Sequence, residues 1–286
     1  MLLGRASMLW LPFVLLGAAA VPDASARPER NRDVRPLERV DRERALKPYQ
    51  GPDELVDVPP ELGLPGRRLD PLALAYFADL SDEVYRRFGR RLVVASGYRS
   101  HSHQRRLFRR YVKDGVRRGL SKRRARRKAN TFSALPGHSE HQLGTTIDIK
   151  DVAQNHMLQG PDKDPRLQRW LRNNAHRYGF INSYPPGHKD PHNKPYRSST
   201  YKKTGYIVEP WHWRFVGKRA AALHHKLERR AGRRITTHEF VEKLSKRDAL
   251  RRRLERPHAS DRAALKRLDR RLRKSRAVAI RRRNDS

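Results

Sequence analysis

The chain has 286 residues, with 66 Lys and Arg against 30 Asp and Glu, a formal net charge of +36 and no cysteine. The missing cysteine excludes a disulfide scaffold, a zinc ribbon and a thiol nucleophile, so any metal must be held by His, Asp or Glu. The cationic excess predicts attraction to polyanions and carries no information about fold.

Residues 8–20 (MLWLPFVLLGAAA) follow Arg5 and precede Ala24-Ser25-Ala26. This is the pattern of a secretory signal peptide over residues 1–26, with the mature chain starting near Arg27. An uncleaved membrane anchor is the alternative, but the apolar run falls short of the ~20 residues a span needs. Export to the periplasm or cell envelope is therefore expected. Residues 27–47 are Arg-rich, show little periodicity and read as a mobile leader. Asp70-Pro71 is a helix start, an N-cap acceptor followed by proline at the first helical position. Ala73, Phe77, Leu80, Val84 and Phe88 follow at helical spacing, and Gly89 suits the stop. Residues 91–96 (RLVVAS) have strand composition, residues 97–100 a turn, and a second helix is expected from about Ser102. It runs into a very basic stretch, residues 117–128, which reads as a solvated helix face or a loop.

Residues 145–149 (TTIDI) have strand composition. Asp164-Pro165 repeats the helix-start signal, with Leu167, Trp170, Leu171, Ala175 and Tyr178 as its apolar stripe and Gly179 as its end. Residues 183–204 are rich in Pro, Gly, Asn and Ser and are expected to form a long loop, after which residues 206–209 resume as a strand. Thr236 and Glu239 fit a capping box opening a helical tail. That tail shows only a thin stripe, Leu265, Leu268 and Leu272, and is expected to bury little surface. Residues 217–286 carry net +17, roughly half the total. Helices and strands without regular βαβ alternation favour an α+β fold: a small antiparallel-sheet core over residues 48–220, flanking helices, and a basic helical tail over residues 221–286.

Two short segments concentrate groups able to bind metal. In the first, His141 precedes a turn marked by Gly144, and Asp148 lies in the strand that follows. Alternation puts Thr146, Asp148 and Lys150 on one face, with Ile147 and Ile149 on the other. A carboxylate in a half-buried strand needs a partner, and a metal ion or an Arg would serve. In the second, Glu209 and His212 flank Pro210, which cannot join a ladder and favours a bend that would bring both to one centre. Two His and one carboxylate suit zinc and leave a position open for water, and a further Glu can accept its proton. Singly these signals are weak. A lone His is more often a hydrogen-bonded core residue, and Trp211 and Trp213 are by default core aromatics.

The blocks Ser96-Gly-Tyr-Arg-Ser100 with Gln104, Ser139-Glu-His-Gln-x-Gly144 with Asp148, and Glu209-Pro-Trp-His-x-Arg214 resemble the VanY-type D-alanyl-D-alanine carboxypeptidase family in order and spacing. The similarity covers about residues 48–220, including a lead-in at residues 49–60 (YQGPDELVDVPP), and omits the leader and tail. It implies an α+β zinc peptidase acting on peptidoglycan, with His141, Asp148 and His212 as metal ligands and Glu209 as general base. It further implies that Arg99 faces the substrate carboxylate or developing oxyanion, and that Gln104 and Ser139 help place the peptide. Where the family commonly has Thr-Gly-Leu-Ala-Val-Asp, this chain has Leu143-Gly-Thr-Thr-Ile-Asp148; the implied ligands survive and the pocket wall differs.

Other histidines read blandly: His188 and His192 as solvated loop residues, and His224 and His225 as adjacent helix positions pointing apart. His138 and Glu140 flank the implied ligand, and Glu140 reads as a hydrogen-bonding support rather than a ligand. Thr237-His-Glu-Phe240 lacks the second His of a helical zinc motif. Three functional readings follow. The first is a secreted zinc D,D-carboxypeptidase whose basic tail holds it on an anionic wall or outer-surface polymer. The second is a peptidoglycan endopeptidase, L,D- or cross-link cleaving. The third is a non-catalytic basic wall binder. The export signal and the lack of a recognised nucleic-acid motif count against a specific nucleic-acid partner.

Overall fold

The structure is a computed structural model describing residues 35–158, 164–186 and 199–284. The expected signal peptide, His188 and His192 lie outside the described residues. A two-stranded ribbon, β1 (Val56–Asp57) with β2 (Arg68–Leu69), leads into α1 (Pro71–Phe88). Asp70 caps that helix as expected, its Oδ1 accepting from Ala73 N at 2.8 Å, and Gly89 ends it in the left-handed region at φ 63°. Leu74, Phe77, Leu80 and Val84 are buried, making α1 the spine of the main core.

Next come β3 (Leu92–Ser96) and α2 (His101–Arg117). The basic stretch then forms a separate helix, α3 (Lys122–Ala129), capped by Ser121. A 3-10 turn at Glu140–Leu143 precedes β4 (Thr146–Asp151) and β5 (His156–Met157). Helix α4 (Pro165–Asn174) tightens into a 3-10 turn at Ala175–Tyr178 that Gly179 closes, followed by β6 (Phe180–Asn182). The main sheet is antiparallel in the order β3-β4-β7-β6, with β7 at His212–Phe215 and β5 pairing on β4.

Three expectations need correcting. Residues 206–209 are not a strand: Ile207 N donates to Thr131 O and Glu209 N to Tyr184 O, so these amides bond to loops, and the ladder starts beyond Pro210. The expected loop at residues 183–204 ends in a short helix, α5 (Ser199–Thr204). The leader is not free from residue 35 onward. Leu37, Val40 and Leu46 are buried, and Asp41 orders the turn by accepting from the Glu43 and Arg44 amides at 2.8 Å.

The C-terminal region also buries more than its composition suggests. Helices α6 (Lys218–Ala231), α7 (Thr237–Ser245), α8 (Asp248–Glu255) and α9 (Asp261–Asn284) complete the chain. Phe240, Val241 and Leu244 join Leu37, Ile181 and Val216 in a second core, while Ala264 and Leu268 enter the main one. Of the expected stripe, Leu268 is buried and Leu272 packs against the main core, but Leu265 is exposed. Thr236 caps α7 by accepting from Glu239 N at 3.2 Å, while the Glu239 carboxylate pairs with Arg233 and Lys203 instead of closing the box. Among the described residues no helix is long and apolar enough to cross a membrane.

Candidate metal centre

Register places the central pair. Strands β4 and β7 pair so that Asp148 stands opposite His212, with Ile147 opposite Trp213. The expected alternation holds: Ile147 and Ile149 are fully buried on the far face, and Asp148 turns to the cleft. His141 enters from the 3-10 turn, which Gly144 closes at φ 75°. The β3–β4 ladder shifts register between Val94 and Ser96, and just beyond it Gly97 O accepts from His141 Nδ1 at 2.7 Å. Position 97 excludes a side chain, since a Cβ there would meet Arg68 O at 2.5 Å. The bend expected at Pro210 is a turn in which His212 N donates to Glu209 O at 3.1 Å. Asn182 Nδ2 locks it by donating to Glu209 O at 3.0 Å and His212 O at 2.9 Å.

One ligand atom from each of His141, Asp148 and His212 lies within 4.8 Å of the others. His141 Nε2 is 3.2 Å from Asp148 Oδ2, and His212 Nδ1 is 3.1 Å from Asp148 Oδ1 and 3.4 Å from Glu209 Oε2. The outer nitrogens fix the tautomers. Gly97 O only accepts, so His141 Nδ1 carries its proton and Nε2 presents a lone pair. Glu140 Oε2 accepts from His212 Nε2 at 2.9 Å, so Nδ1 likewise presents a lone pair when the ring is neutral. His141 Nε2 and Asp148 Oδ1 are buried without a hydrogen-bond partner. With both rings neutral, acceptors converge on one point with no donor among them, an arrangement a divalent cation satisfies.

Glu140 is the support the sequence reading expected. It is buried and accepts from Ser183 Oγ at 2.6 Å, His212 Nε2 and Arg214 Nη1 at 3.0 Å. Burial opposes its charge, but Arg214 and His212 hold the carboxyl well below the usual range. Arg214 is itself 1% exposed, and its Nη2 donates to Pro36 O and Glu38 O in the leader. Thr237 Oγ1, on α7, donates to Ser183 Oγ at 2.9 Å and extends the chain to the C-terminal region. Burial, with Arg99 nearby, lowers His141 to about 4. Burial lifts Glu209 to about 7 against the pull of His212. For His212, the Asp148 and Glu140 carboxylates outweigh burial and raise it to about 10, so a cation arriving between His212 and Asp148 takes the place of a proton on Nδ1.

The cleft beside this centre has two halves joined at Arg99, Leu107 and Tyr111. One half includes Ser139, Tyr184, Glu209 and His212; the other includes Arg67, Arg68, His103 and Asp148. Arg99 lines both halves and Ser139 lines the first. Gln104 does not line the cleft: it is buried and its Nε2 donates to Ala134 O at 2.7 Å and Ser133 Oγ at 3.2 Å, bracing one wall. The sequence reading missed the roles of Arg214 and Asn182, and it missed Tyr184, whose ring lies 4.8 Å from that of His212. Arg214 was accessible, because strand alternation puts it on the face of His212; the other two sit in segments without a periodic signal. His225 is also less idle than expected, stacking on His176 with centroids 3.9 Å apart.

Fold and centre together define a small antiparallel-sheet domain that carries a His/Asp/His group able to hold a divalent cation. A family model described as VanY, D-alanyl-D-alanine carboxypeptidase, matches residues 66–218, and the chain belongs to this family. A D-alanyl-D-alanine carboxypeptidase of Enterococcus faecalis is 36% identical over 156 residues, covering 54% of this chain and 51% of that protein. The crystal structure of the vancomycin-resistance D,D-pentapeptidase VanY from a VanB-type cassette, in complex with Zn(II), is 31% identical. It covers 72% of this chain and 98% of its own, with a TM-score of 0.53. The LD-carboxypeptidase LdcB is 28% identical, covering 73% of this chain and 87% of its own, with a TM-score of 0.56. The chain spans about half the length of the curated relatives it matches.

Proposed function

We propose that this protein is an exported zinc-dependent D,D-carboxypeptidase that removes the terminal D-alanine from peptidoglycan stem peptides. The observation that carries the reading is the convergence of acceptor atoms from His141, Asp148 and His212, two of them buried without a hydrogen-bond partner. These three residues would hold the zinc. When bound, zinc supplies a Lewis acid that brings the ionisation of water toward neutral pH.

Glu209, whose Oε2 is 3.4 Å from His212 Nδ1, would take a proton from the attacking water and return it to the leaving amine. Asn182 fixes the turn that presents it. Arg99 faces both halves of the cleft, where its guanidinium would hold the substrate's terminal carboxylate or the charge growing on the carbonyl oxygen. Ser139 borders the same half-cleft and would orient the peptide, while Gln104 contributes by bracing the Ser133-Ala134 wall.

The likeness to LdcB supports a second reading with the same groups, cleavage at an L,D bond one residue earlier. Purified muropeptides incubated with and without a chelator separate these readings. Chelator-sensitive release of free alanine from pentapeptides supports the first, release of alanine from tetrapeptides alone supports the second, and split dimers indicate an endopeptidase. No chelator-sensitive product from any of them would leave the wall-binder reading.

A further inference from the structure

The structure redistributes the charge that composition concentrates at the C-terminus. In α9, Arg267 pairs with Asp79 at 2.6 Å and Arg271 pairs with Asp82, so part of its charge fastens the helix to α1. No residue after His212 lines either half of the cleft among the described residues. The α2–α3 hairpin is different. Residues 105–128 hold thirteen Lys and Arg and one acid. All thirteen are exposed, and among the described residues the only carboxylate partner is Asp114, held by Arg117.

Helix geometry sets the direction of this charge. His103, Leu107 and Tyr111 face the cleft at four-residue spacing. Arg105, Arg109 and Lys113 follow the same spacing two positions on, about 200° around the helix. Helix α3 adds Arg123, Arg124 and Arg127 on its exposed surface, while Ala125 and Ala129 are buried. A Cβ on Gly115 of α2 would come within 2.9 Å of the Ala125 Cβ, so the two helices meet at close range. The hairpin is thus a packed cationic ridge whose inner side is a cleft wall.

We propose that this ridge docks a linear phosphodiester-bearing polymer of the cell envelope and holds it alongside the cleft. Arginine supplies ten of the thirteen cations, and its planar fork matches phosphate oxygens. A bilayer fits less well, because residues 105–128 expose a single large apolar side chain, Val116, among thirteen exposed cations, and the only apolar residues of α3 are two buried alanines. The choice of an envelope polymer rests on the peptidoglycan-acting reading above.

The test compares two variants of the full-length protein on isolated bacterial walls carrying phosphodiester polymer. One replaces Arg105, Arg109, Lys113, Arg123, Arg124 and Arg127 by Gln. The other replaces six exposed, unpaired α9 cations by Gln: Arg262, Lys266, Arg270, Lys274, Arg276 and Arg281. The hairpin variant is expected to lose at least tenfold in wall affinity at low salt. If all six cations contact phosphate, its log-log salt slope should fall by about four. The tail variant should stay within threefold of the parent, and walls stripped of phosphate by hydrofluoric acid should bind the parent as weakly as the hairpin variant binds intact walls. Equal losses in both variants, undiminished binding to stripped walls, or a hairpin effect seen on duplex DNA but not on walls would each overturn the proposal. Hydrolysis of a soluble D-alanyl-terminated peptide is measured in parallel and should be unchanged in both variants. Its absence in the parent protein would overturn the enzymatic reading while leaving the binding result to be judged separately.

Discussion

Glu140 offers a sharp test of the metal centre, because it acts on His212 without being placed as a ligand. Its Oε2 receives protons from His212 Nε2 and Ser183 Oγ, and its Oε1 receives one from Arg214 Nη1. Glu140→Gln keeps the shape but has only one acceptor oxygen. If that oxygen serves Arg214, the amide NH2 meets two donors. His212 can relieve the clash only by moving its proton to Nδ1, which closes the lone pair facing Asp148. Zinc affinity is expected to fall about 10–100-fold, the usual range for loss of a carboxylate behind a metal-bound histidine. Arg214 also loses its buried counter-charge, although Pro36 O and Glu38 O still accept from it. Breaking such a pair costs about 3–5 kcal/mol, a fall in melting temperature of about 6–20 °C for a domain of this size. Competition against a chelating dye measures the affinity, and calorimetry of the metal-free protein measures the stability. A variant that binds zinc within twofold of the parent would refute the tautomer argument, whatever its stability.

Other expectations follow from the same structure. Glu209→Ala should keep zinc at one equivalent and lower kcat by about 10²–10⁴; turnover within fivefold of the parent would reassign the base. Leu268→Ala should cost about 2–5 kcal/mol in urea unfolding, because the side chain is 4% exposed in the main core. A chain ending near residue 235 loses Thr237, Phe240 and Leu268 together, and should be less stable and bind zinc more weakly than the full chain. His176 is lowered to about 4, chiefly by burial and then by the stacked His225, with His224 and Arg177 adding to the effect and Glu228 opposing it. A folded value below the ordinary 6.5 means that the unfolded chain binds the proton more readily. This contribution to stability is therefore present above 6.5 and lost as pH falls toward 4. His176→Gln should flatten the urea midpoint between pH 6.5 and 4.5, and an unaltered slope would show that the stack does not set it.

Legibility tracked locality. Asp70, Pro71 and Gly89 mark α1 because capping depends on neighbours three or four residues away. The β4 face was readable because alternation is built into a strand. The strand expected at residues 206–209 failed because its amides bond to residues 184 and 131, contacts that no local pattern encodes. The leader looked mobile because its few apolar residues, scattered among many arginines, form no periodic stripe. Leu37, Val40 and Leu46 nevertheless each find a buried place. The C-terminal helices looked thin for the same reason, although Phe240 and Leu268 are enough to anchor them.

Sequence alone determined the donor types at the centre, since a chain without cysteine offers only His and carboxylates. Their spacing about Gly144 and Pro210 placed each near a bend. Tertiary structure decided what those residues do together. Asp148 and His212 are 64 positions apart and meet only because β4 and β7 pair in one register. Glu140 fixes the His212 tautomer only because Arg214, the leader carbonyls and Ser183 close around it in the core. The large positive charge was plain from composition, but its distribution required the fold. Packing neutralises part of it against the acids of α1 and leaves the α2–α3 ridge almost without counter-charges beside the cleft.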